Sequence, residues 1–383
     1  MAVSPMVDQC RVAIFLATSG QSGVDRAAKN LIPALAQRGY AVDLLHVRKH
    51  GPNLAEVPTG VRVVDLGSSH VYSSIPAVVA YLRRERPAVL FSDKDRVNRA
   101  ALFAHRLARA AGTRLVFCVG TPVSREMAHR SRWKQWMHRF WMRIWYPHAD
   151  EIIVDSPGVA DDLRAFAALG DKRLTVVPRP VIPAALLAQA PPPPDHPWLR
   201  QADRPVILGV GELSDGKDHP TLIRAFARLR AQRPCRLIIV GKGGRREALL
   251  GLAQELGIAE DVDLPGFRTD VYAFMAHASL FVLTSVREGL SFVLLEALAC
   301  GTPVVSTDCP TGPRAVLQSG RYGPLVPVGD VEAVYEAMVK TLAAPLAADV
   351  LKNAARPYEI QAAAAGWLRA VGLRDKADGM TAT

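Results

Sequence analysis

Hydrophobic positions along the chain gather into short continuous runs separated by longer amphipathic stretches. The runs "RVAIFLAT" (11–18), "AVDLLHV" (41–47), "PAVLFSD" (87–93), "TRLVFCVG" (113–120) and "EIIVDS" (151–156) have the length and apolar continuity of strands covered on both faces. Between the first two lies "DRAAKNLIPALAQRG" (25–39), whose apolar residues recur at helical spacing until Gly39 stops the helix. Strand, helix and strand in that order make a βαβ unit and a parallel sheet. The alternation resumes with the strand "PVILGVG" (205–211), a helix around "HPTLIRAFARLRAQR" (219–233), the strand "RLIIVG" (236–241), the helix "REALLGLAQELG" (246–257), the strand "LFVLTS" (280–285), the helix "FVLLEALACG" (292–301) and the strand "PVVST" (303–307). Between the two series runs "VVPRPVIPAALLAQAPPPPDHPWLRQADRP". Four consecutive prolines fit neither a helix nor a sheet interior, so this stretch predicts a connector. The pattern therefore predicts an α/β chain of two Rossmann-like, doubly wound domains, at 1–180 and 205–355, joined through 181–204. Residues 356–383 are expected to form a C-terminal helix that packs back on the first domain. Ligands of such sheets bind at the carboxyl ends of the strands, and two of them facing each other make a cleft.

At 383 residues the chain exceeds what one hydrophobic core usually supports, which agrees with two domains. Its five cysteines, Cys10, Cys118, Cys235, Cys300 and Cys309, lack CxxC spacing, which argues against a zinc site or disulfide framework and points to a reducing, cytosolic compartment. No apolar run reaches the eighteen or so residues of a membrane span, and "VAIFLA" is too short and too early for a signal peptide. Charge is uneven. Residues 1–200 hold 27 Lys and Arg against 16 Asp and Glu, whereas residues 201–383 hold 20 of each. The first half is suited to an anionic partner, a membrane surface, nucleic acid or an acidic substrate; a solvated basic face is the plainer alternative.

Two stretches carry candidate chemistry. In "REGLSFVLLEALACGTPVVS" (287–306), Glu288 and Glu296 are separated by seven uncharged residues. Glu288 falls at the exit of a strand and Glu296 on the following helix, with the amides of Gly289, Leu290 and Ser291 at the helix N-terminus, where unpaired N–H groups favour an anion such as a diphosphate. A carboxylate accepts hydrogen bonds from vicinal hydroxyls, so one could hold a ribose and the other a sugar. Taken alone, the pair also reads as a helix-start acid and an exposed helix glutamate. The second stretch, "REMAHRSRWKQWMHRFWMRIWYPHAD" (125–150), holds four of the six tryptophans. Trp133, Trp136, Met137, Phe140, Trp141, Ile144 and Trp145 make an apolar stripe on a helix expected over 125–148, among Arg125, Arg130, Arg132, Lys134, Arg139 and Arg143. Such a helix suits the interface of an anionic membrane, or it packs its stripe on the domain's own core.

Two further patterns carry less. "SDKDRVN" (92–98) contains a D-x-D and reads as a loop rather than a metal site, and "VGKGG" (240–244) lacks the full G-x-G-x-x-G run of a dinucleotide loop.

The segment "TSVREGLSFVLLEALACGTPVVSTDCPTGPRAVL" resembles the EX7E region of the retaining glycosyltransferases of family 4, which have the GT-B fold. "SGQSGVDRAAKNLIPALAQRGYAV", "VGELSDGKDHPTLIRAFARL", "LIIVGKGGRREALLGLAQELGIAEDVDLPGF" and "GRYGPLVPVGD" recur in the expected order, so the resemblance covers nearly the whole chain. It implies that Glu288 contacts the donor sugar near the reacting carbon and that Glu296 binds the ribose hydroxyls of a nucleotide-sugar donor. Lys217 is implied to neutralise the leaving diphosphate without a metal, together with the amides at Gly289, Leu290 and Ser291 and the nearby Gly211. Phe267 and Arg268 match the segment along which the nucleobase lies; Gly20, Ser22 and Gly23 match the loop that approaches donor phosphates and acceptor. The membrane-interface residues are then Arg132, Trp133, Trp136, Phe140, Trp141 and Arg143, placing the enzyme peripherally on the cytosolic face with a lipid-linked or envelope glycan as acceptor. Two positions depart from the family. Glu212 stands where an arginine is usual, with Glu212 expected to turn away or bond Lys217 and Arg314 to compensate, and Gly120 stands where many members have a histidine. The same fold could also serve a nucleotide-sugar epimerase or a non-catalytic binding subunit.

Overall fold

The computed structural model describes residues 10–374 except 21, 170–173, 202 and 311. They divide into two compact units, 1–181 with 360–383 and 182–359. Among the described residues, the first contains strands β1 (Arg11–Leu16), β2 (Ala41–His46), β3 (Val61–Asp65), β4 (Val89–Asp93), β5 (Arg114–Val119), β6 (Glu151–Val154) and β7 (Leu174–Val176). All pair in parallel in the order β3-β2-β1-β4-β5-β6-β7. The second contains β8 (Val206–Val210), β9 (Arg236–Val240), β10 (Val262–Gly266), β11 (Leu280–Leu283), β12 (Val304–Thr307) and β13 (Leu325–Val326), again parallel, in the order β10-β9-β8-β11-β12-β13.

Both orders reverse once, between β1 and β4 and between β8 and β11. At such a reversal the loops leaving the two strands diverge to opposite faces and open a crevice at their carboxyl ends. The predicted strands are all present, because helices cover both faces and the strand interiors are mostly apolar, with buried polar exceptions such as Asp43, Ser92 and Asp93. Those that the hydrophobic runs do not announce are edge or short strands: β3 is mostly exposed, β7 and β13 are very short, and β10 contains Pro265, which an edge strand tolerates.

The proline-rich segment differs from a free connector. It contains two short helices, Ala184–Ala188 and Pro197–Gln201, and is strapped to the second unit. His196 is buried, its Nε2 lies 2.9 Å from Asp263, and its ring packs edge-on against Phe274. His277 reaches the Pro191 carbonyl at 3.0 Å, and Lys352 the Leu187 carbonyl at 3.2 Å. Proline prevents regular structure but not burial, and carbonyls that cannot join a sheet still accept side-chain donors. The helix Ile360–Ala370 belongs to the first unit: Trp367 packs on Phe91 with ring centroids 5.4 Å apart and donates from Nε1 to the Pro178 carbonyl.

The expected single helix over 125–148 is two, Val123–Ala128 and Arg132–Trp145, broken at His129 to Ser131, where Ser131 is extended. The "SDKDRVN" stretch is a strand end and helix start rather than a loop, since Asp93 closes β4 and Asp95 opens the helix Asp95–Ala108.

Candidate active site

The second unit brings its predicted residues to the reversal between β8 and β11. The loop after β8 delivers Lys217 and the turn after β11 delivers Glu288. Lys217 Nζ donates to Glu288 Oε1 at 2.6 Å, and the Ser285 hydroxyl donates to the same oxygen at 2.7 Å. The Lys217 partner is thus Glu288 and not Glu212, which is exposed. The methylene stem of Lys217 packs on Gly211, where a Cβ would stand 3.1 Å from Lys217 Cε.

The helix Phe292–Ala299 follows directly, with Ser291 as its N-cap residue. Serine there ordinarily accepts from the second or third amide of the helix. Here it makes no such bond: its hydroxyl is buried, only 1% of the residue is exposed, and no partner for it exists among the described residues. Gly289 is exposed and Leu290 half-buried in the turn that leads to it. A buried hydroxyl left unbonded is costly, which sets this helix start apart within the second unit.

Glu296 is 1% exposed, which rules out the alternative of a solvated helix glutamate. Tyr272, on the helix Val271–His277, donates its hydroxyl to Glu296 Oε1 at 3.2 Å. A carboxylate buried in an apolar helix is expensive and is kept where its acceptor capacity is used. Burial, reinforced by the Glu296 charge, pushes the nearby Cys300 thiol up to about 12, so that thiol is inert. His219, at the start of the helix that follows Lys217, is buried, and among the described residues its ring nitrogens make no well-aligned hydrogen bond. Burial pushes its pKa down to about 4, the Glu212 backbone offsetting part and the Lys217 charge adding to it, so the ring beneath Lys217 is neutral.

Phe267 stands 67% exposed at the end of β10. Arg268 is committed elsewhere: it makes two 3.0 Å bonds to Asp270 and lies over the Phe274 ring. Arg314 is likewise paired with Asp308, so its expected role as a spare diphosphate ligand meets a competing carboxylate.

In the first unit, the loop after β1 carries Gly20, Ser22 and Gly23. Ser22 caps the helix Gly23–Gln37 in a reciprocal box with Asp25, whose carboxylate also accepts from Thr18. Gly20 packs so closely on Gly51 that a Cβ on Gly51 would lie 2.4 Å from Gly20 Cα. After β5, Gly120 has no room for a histidine or any side chain: a Cβ would fall 2.3 Å from both Arg179 Nη2 and Asp155 Oδ2. Arg179, which sequence reasoning missed, is buried between Asp155 (2.5 Å) and Asp93 (2.8 Å). Burial pushes Asp155 up to about 6 although Arg179 opposes it. The D-x-D carboxylates are thereby separated, Asp93 to Arg179 and Asp95 to Arg99 and Tyr146.

The helix Arg132–Trp145 resolves into two faces. His138, Trp141, Met142 and Trp145 turn inward, with Met142 buried, Trp145 packed on the core, and Trp141 stacked on Trp145 and edge-on to Phe103. Trp133, Trp136 and Phe140 turn outward in a continuous stack, centroids 5.0 and 5.7 Å apart, and are 64, 54 and 50% exposed. Trp141 lies about 80° around the helix from Trp133 at 3.6 residues per turn, and it is half-buried against Trp145 and Phe103, whereas Trp133, Trp136 and Phe140 are exposed. Arg132, Lys134 and Arg143 are exposed on the same helix, as is Arg139, whose guanidinium lies over the buried Phe166 ring.

Two parallel doubly wound units in one chain have the architecture of the GT-B fold. The chain belongs to the group 1 glycosyl transferases. The model for "Glycosyl transferases group 1" matches residues 204–344, and that for the "Glycosyl transferase 4-like domain" matches residues 22–180. A Campylobacter jejuni relative is 32% identical over 68% of this chain and 69% of its own length. It is N-acetylgalactosamine-N,N'-diacetylbacillosaminyl-diphospho-undecaprenol 4-alpha-N-acetylgalactosaminyltransferase. The lipopolysaccharide core biosynthesis glycosyltransferase LpsE of Rhizobium meliloti is 33% identical over 52% of this chain and 56% of its own length. Among solved structures, Anabaena HepE in complex with UDP superposes with a TM-score of 0.69 at 20% identity, over 97% of this chain and all of that one. Sucrose-phosphate synthase from Thermosynechococcus elongatus superposes with a TM-score of 0.71 at 20% identity, over 94 and 98%. At such identities they speak to the fold.

Proposed function

We propose that this glycosyltransferase moves a sugar, with retention of configuration, from a uridine diphosphate donor to a lipid-linked or envelope glycan at the cytosolic face of a membrane. The observation that carries the donor half is the unbonded, buried Ser291 hydroxyl at a helix start flanked by Lys217, Glu288 and Glu296. Glu296, held by Tyr272, accepts from the ribose hydroxyls. The diphosphate lies against the Gly289–Ser291 turn and Lys217, whose ammonium has donors to spare beyond the one given to Glu288. Glu288 serves the donor sugar and keeps Lys217 aimed.

In the transfer the acceptor hydroxyl attacks the anomeric carbon on the face that the diphosphate leaves. The carbon–phosphate oxygen bond breaks as the new glycosidic bond forms, and the departing phosphate oxygen takes the hydroxyl proton. Positioning and charge stabilisation by Lys217 and the helix start are the protein's contribution, with no side-chain nucleophile and no metal required.

The UDP-bound structure of HepE and the lipid-linked acceptor and alpha linkage in the C. jejuni relative's name favour this donor and acceptor class. For the membrane half the support is the outward Trp133–Trp136–Phe140 stack ringed by cations, an interfacial chemistry. Among the described residues no helix is long and apolar enough to cross a membrane. Incubating the protein with UDP-sugars and a polyprenyl-diphosphate glycan in anionic liposomes tests the proposal. The expected result is a new alpha linkage formed from an alpha-linked donor, unaffected by chelator. Donor consumption that needs no acceptor, or activity abolished by chelator and restored by a divalent ion, would count against it.

A further inference from the structure

The "VGKGG" loop has no part in the chemistry described so far, yet it is fixed against it. Gly241 donates to the Gly266 carbonyl at 2.9 Å, Leu213 to the Lys242 carbonyl at 3.0 Å, and Arg245 to the Leu213 carbonyl at 3.1 Å. The loops after β8, β9 and β10 are thus one hydrogen-bonded rim. They touch backbone to backbone: a Cβ on Gly241 would lie 1.8 Å from the Gly211 oxygen, and one on Gly243 2.4 Å from the Leu213 oxygen. Lys242 is the long side chain between these two glycines. It is exposed, has no ion pair among the described residues, and places Nζ 5.6 Å from the centroid of the Phe267 ring.

Five residues beyond Phe267 comes Tyr272, the partner of Glu296. The rim therefore runs from the carboxylate proposed for the ribose, through Tyr272, to an exposed aromatic face with an ammonium resting on it. Arg268 leaves that face to Lys242, being tied to Asp270.

Resting on the donor site proposed above, we infer that Lys242 selects the nucleobase. A base stacked on Phe267 displaces the ammonium from the ring, an exchange of one weak contact for another. The ammonium then meets the base edge. It has three donors and no acceptor, so where it meets the edge that carries O4 of uracil or O6 of guanine it favours those bases over cytosine and adenine, which have an amino group at the corresponding position. The diphosphate is not its partner; that charge falls to Lys217.

Calorimetric titration with UDP, GDP, CDP and ADP, on the wild type and on Lys242→Met, tests this. Methionine keeps the stem over Phe267 and removes the donors. The wild type is expected to bind UDP or GDP at least tenfold more tightly than CDP and ADP, with the UDP and GDP arms deciding which oxo base is preferred. Lys242→Met should lose that preference through weaker binding of the oxo bases alone. Equal weakening of all four would make Lys242 a phosphate ligand and overturn the inference while leaving the donor site standing. An unchanged preference would also overturn it. If none of the four binds the wild type, donor site and inference fall together. Phe267→Leu should weaken all four bases, and an unchanged affinity there would remove the stacking platform on which the inference depends.

Discussion

In the first unit the excess of cations is displayed, with Arg132, Lys134 and Arg143 exposed on the helix that carries an aromatic stack, while its buried charges close on themselves as Asp93, Arg179 and Asp155. In the second unit cations and acids balance, and the polar groups at the strand ends are engaged but incomplete: Lys217 holds Glu288 with donors remaining, and the Ser291 hydroxyl holds nothing among the described residues. The first arrangement suits an extended anionic surface, for which many weak exposed charges suffice. The second suits one small anion bound in a fixed geometry. On the proposed function, the same sheet architecture serves a surface in one half and a site in the other, and the difference lies in what the loops after the strands leave unsatisfied.

The largest expected effect separates the halves by activity. Lys217→Ala should lower kcat by about 100- to 1000-fold, as loss of one preorganised donor to developing charge does elsewhere. It should change nucleotide affinity far less, because the ammonium matters most as the diphosphate leaves. Steady-state kinetics beside calorimetry would read the split, and an equal loss in both would make Lys217 a plain binding residue.

Next in size is stability within the tryptophan helix. Met142→Ala removes a buried side chain and should cost about 2–5 kcal/mol in urea unfolding. Replacing Trp133, Trp136 and Phe140 together by serine should cost little, since exposed positions change stability by roughly 0.5 kcal/mol or less each. That triple variant should instead stop co-sedimenting with anionic liposomes. Retained liposome binding would move the membrane contact off this face.

The two halves should also respond to acid in opposite senses. His219 is held near pKa 4 in the folded second unit against 6.5 when unfolded, so its contribution is fully present above pH 6.5 and is lost as the pH falls toward 4. That contribution is about 3 kcal/mol. Asp155 is raised from 3.8 to about 6 in the first unit, so its contribution is present below pH 3.8 and is lost as the pH rises through 6. Between pH 6 and 4, acid should therefore weaken the second unit through His219 and strengthen the first through Asp155. Unfolding curves of His219→Gln and Asp155→Asn against the wild type would show each slope disappear in turn.

The fold was legible in the sequence because central parallel strands must be apolar on both faces, which writes them as unbroken runs. The strands that escaped, β3, β7, β10 and β13, lie at or near sheet edges, where that requirement lapses. Of the site, the seven-residue spacing of Glu288 and Glu296 could be read locally, since it spans one turn and one helix. The Lys217–Glu288 pair joins residues 71 apart in sequence, and Tyr272 and Glu296 are 24 apart, so neither contact has a local signature. Arg179 was missed for the same reason, and the glycine at 120 was its only trace: a residue without a side chain leaves room for one arriving from elsewhere. Trp141 reads as one of the aromatic stripe, and what half-buries it is Phe103, which comes from the helix Asp95–Ala108 and so has no local signature.

The most direct measurement is calorimetric titration of UDP into the wild type, Glu296→Ala, and the Trp133, Trp136 and Phe140 serine triple variant. Removing the Glu296 acceptor should weaken UDP by about 10- to 150-fold, the equivalent of a hydrogen bond to a charged group. The triple variant should bind UDP as the wild type does. UDP affinity that survives Glu296→Ala, or that falls with the triple variant instead, would contradict a nucleotide site confined to the second unit.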